Sequence, residues 1–578
     1  MASLFRFKDK VYIQSDTFKN TYIPRVLLAD LDGDGVNDLV YSRVNRSSQS
    51  GFHEIYPNGV GYDGDATKFL VAVQLLLSGS GKLVSSSNKL VRDPGTLTSA
   101  GIDVGEFNGD GIPDFVVGSY GMDIGMPVPT MHGWHTHVYL SNRTTGEWTA
   151  SRLAPELQNL SDLLLTHTLA VGDLNADGLD DIYLNARNKG DRIYFSRGDG
   201  TFFSKTTFEL YQESDTRTLG ALITDLDSDG KEELIRFVSN DGDRGFPGDG
   251  RWLNKTGNLE NQVVYSPANS PRIDYLPVGQ FGETSTLSLG ALTIDVNRDG
   301  IKDLVVNQTR AGANVYLGSK FQILINDGNG GWKDESFRVQ KLPTEELVDF
   351  WYVETVASDF DMDGDMDIFA YEVTQGTYLY ENVDGYFVNR TNEVLGALNP
   401  AVNGIYPIDW GDRVELVSIP SRISKTSNYD GEVSIFTSEA ISRRKTADGK
   451  FVAYDLDANA GKAVKVLGAV AGKQSLGNKE YVGIGIDLLD KGMSYSDLAA
   501  LALQAIGLRT NDQIVTALWT NVVGAAPSAA DKAPFLSMLE NGFSQGELAR
   551  LAAETSQNAS NIDLVGLART GVEYFPVA

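Results

Sequence analysis

Apolar and polar positions alternate in blocks along most of this chain. The run "YIPRVLLA" (22–29) gives way to a short acidic stretch and then to "DLVYS" (38–42), and the same change recurs ahead of "DFVVG", "DIYLN" and "DIFAY". Short runs of β-branched and aromatic residues bounded by Gly and Asp read as strands, so each acidic stretch joins two of them. A second pair follows each time, marked by a turn and an aromatic in "YLSNRTTGEW", "YFSRGDGTFF", "ILINDGNGGW" and "LYENVDGYF". Each unit therefore predicts strand, acidic loop, strand, insertion, strand, turn, strand. The loops open at residues 30, 106, 173, 225, 295 and 359, a spacing that suits four-stranded propeller blades carrying variable insertions. A degenerate echo, "IDWGDRVELVSI", begins at Ile408.

From about Asp455 the period changes to a helical one, rich in Ala, Leu and Gly. "LLDKGMSYSDLAALA" (488–502) returns as "MLENGFSQGELARLA" (538–552). Both predict a helix stopped at Gly492 or Gly542, then a capping box, Ser494 to Asp497 or Ser544 to Glu547, opening another helix. "NAGKAVKVLGAVAG" and "TNDQIVTALWTNVV" predict further helices packed between the copies. The expected division is a β domain at 1–440, a linker at 441–454 around "SRRKTADGK", and a helical domain at 455–578.

The acidic loops carry the chemistry. Aligned, they read D-x-[DN]-x-D-G-x-x-[DE], with Glu106 once at the first position. Carboxylates this close repel one another unless a cation lies among them. A hard cation such as calcium takes six to eight oxygens at about 2.3 to 2.6 Å, and no soft ligand is present. The side-chain candidates are Asp30, Asp32, Asp34 and Asp38; Glu106, Asn108, Asp110 and Asp114; Asp173, Asn175, Asp177 and Asp181. The later loops offer Asp225, Asp227, Asp229 and Glu233; Asp295, Asn297, Asp299 and Asp303; Asp359, Asp361, Asp363 and Asp367. Position seven adds a carbonyl, from Val36, Ile112, Leu179, Lys231, Ile301 or Asp365. An EF-hand is excluded, because position twelve is Tyr41, Val117, Leu184, Arg236, Val306 or Ala370 rather than Glu, and strands flank the loop. In the echo, Asp409, Asp412 and Glu415 are too few and too closely spaced, so no metal is expected there.

These repeats resemble the FG-GAP or VCBS calcium-binding blades of integrin α chains and of many bacterial surface and secreted proteins. The resemblance covers about residues 1–440 and implies a seven-bladed propeller holding up to six Ca²⁺. The tail is similar to the small helical module at the C-termini of bacterial proteins exported by the type I secretion machinery. That implies a secreted or cell-surface location.

Composition agrees with this picture. The net charge is −28 with much of the acid in the loops, and no basic patch signals nucleic acid. There is no cysteine, no apolar signal-peptide core in "MASLFRFKDKVYIQSD", and no run long enough to span a bilayer. Cation binding therefore takes the place that disulfides hold in other extracellular folds.

If the acidic loops occupy one face, the insertions at 118–135, 239–252 and 307–320 lie on the other, the ligand face in integrin-like propellers. Their Trp134, Phe246 and Tyr316 are of hot-spot type. The expected function is recognition of an extracellular protein or glycan. A second class is open: in "MHGWHTHVYL", strand alternation sets His135 and His137 on one face with Tyr139. Some polysaccharide lyases are calcium propellers with His and Tyr at the cleft, so His135 and Tyr139 are catalytic candidates, although structural histidines with no role in chemistry are the plainer reading. A third is a surface-layer or filament subunit assembling through the tail. No phosphate loop, nucleophile elbow or zinc motif is present.

Overall fold

The computed structural model describes residues 5–577 apart from 13–20, 46–69, 80, 98, 121–132, 158–162, 187–189, 207–216, 240–261, 266–271, 283–285, 312–315, 343–345, 348–349, 373–374, 397, 399–402, 421, 424–431, 447–448 and 455. The chain divides into two compact units. One is 1–360, 366–408 and 415–438; the other is 361–365, 409–414 and 439–578.

The architecture is mainly β with C-terminal helices. Among the described residues, six sheets start with an acidic-loop hairpin. The hairpins are Thr21–Ala29 with Asp38–Asn45, Ser99–Gly105 with Asp114–Ser119, Thr166–Gly172 with Asp181–Ala186, Arg217–Thr224 with Glu233–Ser239, Thr286–Ile294 with Asp303–Ala311, and Glu354–Ser358 with Asp367–Glu372. These define sheets one to six; two further antiparallel strands complete sheets three to six, while sheet one also gains Arg422–Ile423 and sheet two the short parallel strand Leu90–Val91. Sheet seven combines Asn403–Asp409, Val414–Pro420 and Glu432–Thr437 with the N-terminal strand Arg6–Tyr12. The last pairing runs antiparallel from Arg6 opposite Thr437 to Tyr12 opposite Glu432.

The second strands are buried on both faces, as Asp114–Ser119 and Asp181–Ala186 show at every position. The reason is that successive sheets pack face to face. Val116 and Val138 of sheet two share one core with Ile182, Leu184 and Tyr194 of sheet three. Ile235 and Val263 of sheet four share another with Leu304 and Leu324 of sheet five. Burial of each such side chain contributes about 1.5 to 3 kcal/mol, which is what fixes strand register here.

The second unit contains eight helices among the described residues: α1 Asn459–Ala471, α2 Lys479–Asp490, α3 Tyr495–Ala505, α4 Asn511–Val523, α5 Ala529–Glu540, α6 Gln545–Ala553, α7 Ser556–Asn561 and α8 Leu564–Thr570. The duplicated hairpin is α2–α3 and α5–α6. Ser494 and Ser544 cap α3 and α6 by accepting from the N–H of Asp497 and Glu547. The full reciprocal box forms elsewhere, at Thr510/Gln513 and Ser528/Asp531. Residues 441–454, expected as a linker, instead supply the strands Arg443–Lys445 and Phe451–Ala453, which pair with Val572–Tyr574. The alternating apolar residues Phe451 and Ala453 are what join this segment to the helical core. None of the helices is long and apolar enough to cross a membrane among the described residues.

Candidate metal centres

Each acidic loop is clamped at its ends by one register. Position nine pairs with the residue just before position one: Asp38 with Ala29, Asp114 with Gly105, Asp181 with Gly172, Glu233 with Thr224, Asp303 with Ile294, and Asp367 with Ser358. Between them the backbone turns left-handed twice. Position six is always Gly, with φ from 75° at Gly111 to 99° at Gly364. Position four is left-handed as well: Gly33 and Gly109 in the first two loops, then Ala176, Ser228, Arg298 and Met362 at φ 60–63°. Four L-residues in a conformation that costs each about 1–2 kcal/mol show how strongly the loop imposes this path.

The position-one carboxylate folds back over the turn. Asp30 Oδ1 accepts from Gly33 and Asp34 N–H, and its Oδ2 from Gly35 N–H at 2.9 Å. Glu106, Asp173 and Asp295 do the same with Gly111, Gly178 and Gly300. The longer Glu106 spans the loop without altering the pattern, so its departure from Asp is harmless.

The position-nine carboxylate is a strut as well as a ligand candidate. Asp38 Oδ2 accepts from Leu31 N–H at 2.8 Å and Oδ1 from Ser78 N–H at 2.7 Å. Asp114 bridges Phe107 and Ser141, Asp303 bridges Val296 and Asn326, and Asp367 bridges Phe360 and Asn382. These oxygens lie where water cannot reach. Burial pushes Asp38, Asp181 and Glu233 up to about 7, and Asp114 and Asp303 up to about 6. A cation nearby would restore their charge.

In loops one and three, position three turns an oxygen inward. Asp32 Oδ1 and Asn175 Oδ1 are buried without a hydrogen-bond partner, as is Asp225 Oδ1 at position one of loop four. Such orphaned acceptors are costly unless a ligand meets them. Burial raises Asp32, helped by the charges of Asp34 and Asp30. Carboxylate oxygens converge to within 4.8 Å of one another in three sets: Asp30, Asp32 and Asp38; Asp225, Asp227 and Asp229; Asp359, Asp361 and Asp367. All three belong to loops with Asp at position three. In loop two, Asn108 Nδ2 instead donates to Asp114 Oδ1 at 3.0 Å and to the Ser141 carbonyl. In loop four, Lys231 Nζ lies 3.1 Å from Asp229 Oδ2, a competing cation at the rim. The donor set, all oxygen and partly orphaned, fits a divalent hard cation.

One group of site residues escaped sequence reasoning. Ser78, Ser141, Ser196, Asn326 and Asn382 on the third strands all give their N–H to position nine. Ser78 Oγ lies 3.0 Å from Asp34 Oδ1, and Ser141 Oγ 3.0 Å from the Ile112 carbonyl, so both hydroxyls face candidate ligands. The available signal was a Ser or Asn two residues beyond the strand partner of the residue after position nine.

The degenerate seventh loop differs in kind. Asp409 pairs with Arg444 at 2.7 Å and Asp412 with Arg413 at 2.9 Å, while the buried Glu415 pairs with Lys8. Each of these acids already has a basic partner from the chain.

The other candidates scatter. Tyr139 is 1% exposed, stacks on Phe115 at 4.5 Å and donates to Asp93 Oδ1 at 2.7 Å. It is a core residue, enclosed by the apolar face that alternation gave it, and cannot reach a substrate. His135 and His137 have ring centroids 5.9 Å apart. Burial, aided by the charge of Arg152, pushes both down to about 4, so they are neutral at physiological pH. Neither joins a set of three metal-ligating groups among the described residues. Trp134 packs edge-on to His135 at 5.6 Å. Tyr316 opens the third strand of sheet five, and Phe246 lies outside the described residues.

No curated protein matches this sequence. Among solved structures, two crystal structures of BBS1N in complex with ARL6DN are similar to it at 11% identity, one soaked with lead and one with mercury. Each match covers 76% of this chain and 98% of the other, with TM-scores of 0.37 and 0.38. A family model described as an FG-GAP-like repeat matches residues 134–235, a stretch that contains the loops opening at Asp173 and Asp225.

Proposed function

We propose that sheets one to seven are the blades of a β-propeller whose six acidic loops bind calcium, and that the protein is an extracellular recognition module. The observation that carries this is the buried, partnerless oxygen at the heart of the loops, Asp32 Oδ1 and Asn175 Oδ1, beside convergent carboxylates. In each loop the side chains at positions one, three, five and nine and the carbonyl at seven would hold the ion. The bound ion would supply charge that quiets carboxylate repulsion and joins loop to third strand. It supplies no chemistry to a substrate in this reading.

A propeller stabilised this way offers its insertions as a binding surface, and the partner class is a protein or glycan outside the cell. Extracellular calcium modules bind at roughly 10⁻⁴ to 10⁻³ M, a range in which these loops would fill outside a cell and stay empty within it. The helical unit is proposed to carry the type I export signal. The catalytic alternative is set aside because Tyr139 is enclosed. Glycan-array and surface-protein binding, measured with calcium and again with EGTA, tests the proposal: calcium-dependent capture of one partner class supports it. Turnover of acidic polysaccharide that survives His135→Ala would speak for another site and another class.

A further inference from the structure

Position eight of the acidic loops has no part in holding an ion, yet in three consecutive sheets it reaches to the loop of the sheet before. Asp180 Oδ2 accepts from Glu106 N–H at 2.8 Å. Glu232 Oε2 accepts from Asp173 N–H at 2.6 Å. Lys302 Nζ donates to Thr224 Oγ1 at 2.8 Å, immediately before Asp225. The recipients in the first two cases are position one itself, the residue whose carboxylate organises its loop.

The backbone is cleared for this contact. A Cβ on Gly172 would meet Glu232 Oε2 at 2.3 Å and Ile223 Cγ2 at 2.4 Å, and one on Gly105 would meet Val171 Cγ1 at 2.6 Å as well as the Asp180 Cβ at 3.0 Å, so these glycines let the neighbouring sheet come close. In the other three loops position eight is Pro113, which has no such group to offer, or the exposed Asn37 and Met366. Further bonds run the same way: Gly200 N–H and Asn326 Nδ2 donate to the carbonyls of Phe107 and Leu226, each at position two of the preceding loop.

We propose that Asp180 and Glu232 are positioning residues for the cation site of the preceding sheet, so that the sites opening at Glu106, Asp173 and Asp225 load as a coupled row. This rests on the ion reading above. Filling one loop fixes its position nine, hence position eight beside it, hence position one of the loop before. Two sites that bias one shared element are coupled by necessity, and in both directions.

Hydrogen exchange of the full chain, followed by mass spectrometry across a calcium titration, tests it. Glu232→Ala should raise the calcium midpoint for protection of peptides spanning 173–181 by about tenfold, the effect of losing a hydrogen bond to a charged acceptor. Glu232→Gln keeps an acceptor oxygen and should stay within about threefold of the parent, which a role of charge alone would not allow. Asp229→Ala, removing a ligand from loop four, should also raise the midpoint at 173–181. Peptides spanning 30–38, whose loop receives no such contact because position eight of the next loop is Pro113, should keep their midpoint in every variant and so report an intact fold. An unmoved midpoint at 173–181 in Glu232→Ala or Asp229→Ala, or a Gln variant that behaves like Ala, overturns the coupling. If no loop of the unmutated chain gains protection from calcium, the ion reading fails and the coupling with it.

Discussion

Moving one methyl group between two loops should change stability in opposite directions. Ala176 and Gly33 occupy the same fourth position, at φ 60° and 75°, and Ala176 is exposed. A Cβ built on Gly33 meets nothing within 4 Å, so Gly33→Ala adds backbone strain and no clash. Left-handed strain costs an L-residue about 1–2 kcal/mol. The stiffer unfolded chain returns about 0.4–1 kcal/mol of that. Gly33→Ala should therefore lower stability by about 1 kcal/mol, and Ala176→Gly should raise it by about the same amount. Equilibrium urea unfolding at fixed free calcium, followed by tryptophan fluorescence, reads both, and the double variant should return to within about 0.5 kcal/mol of the parent. Shifts of the same sign, or a neutral Gly33→Ala, would show that the loops do not keep this conformation in solution.

Three further outcomes are expected. Lys8→Met should destabilise the chain by about 2–3 kcal/mol in thermal or urea unfolding, because it takes a cation away from the buried carboxylate of Glu415; the partly exposed Lys8 keeps this below the figure for a wholly buried pair, and adding Glu415→Gln should restore most of the loss. Burial raises both Asp103 and Glu354 to about 7 in the folded state. Their contribution is therefore full below about pH 4 and is lost as pH rises toward 7, so stability in EGTA should fall across that window, and Glu354→Gln should flatten part of the fall. Ser494→Ala should lower the stability of the helical unit by about 1 kcal/mol through loss of the α3 cap, seen as a shift in its far-ultraviolet circular dichroism transition.

The acidic loops were legible because all their ligand candidates lie within nine consecutive residues, and the flanking β-branched runs exclude helices. The duplicated helical hairpin was legible for a similar reason: Gly492 and Gly542 stop helices, and Ser494 and Ser544 start them, through strictly local bonds. What stayed hidden depends on contacts distant in sequence. Asp38 meets Ser78 forty residues on, and Lys8 meets Glu415 at a separation of 407. Nothing in "RFKDKVY" reveals that it completes sheet seven beside Glu432–Thr437. The left-handed fourth position is announced by Gly33 and Gly109 but masked by Ala176, Ser228, Arg298 and Met362, where the loop overrides local preference. Alternation placed His135, His137 and Tyr139 on one face but could not say that this face meets the core. The segment "SRRKTADGK" reads as linker by composition, yet its neighbours Phe451 and Ala453 pair with a strand more than a hundred residues later.

The count of bound calcium decides whether the acidic loops are cation sites. Native mass spectrometry of the chain, stripped with EGTA and reloaded at millimolar calcium, should give up to six ions, with one fewer in Asp32→Ala and in Asp363→Ala and no change in Asp412→Ala. A chain that binds none, or loses the same number of ions in all three variants, would contradict the assignment of the acidic loops as cation sites.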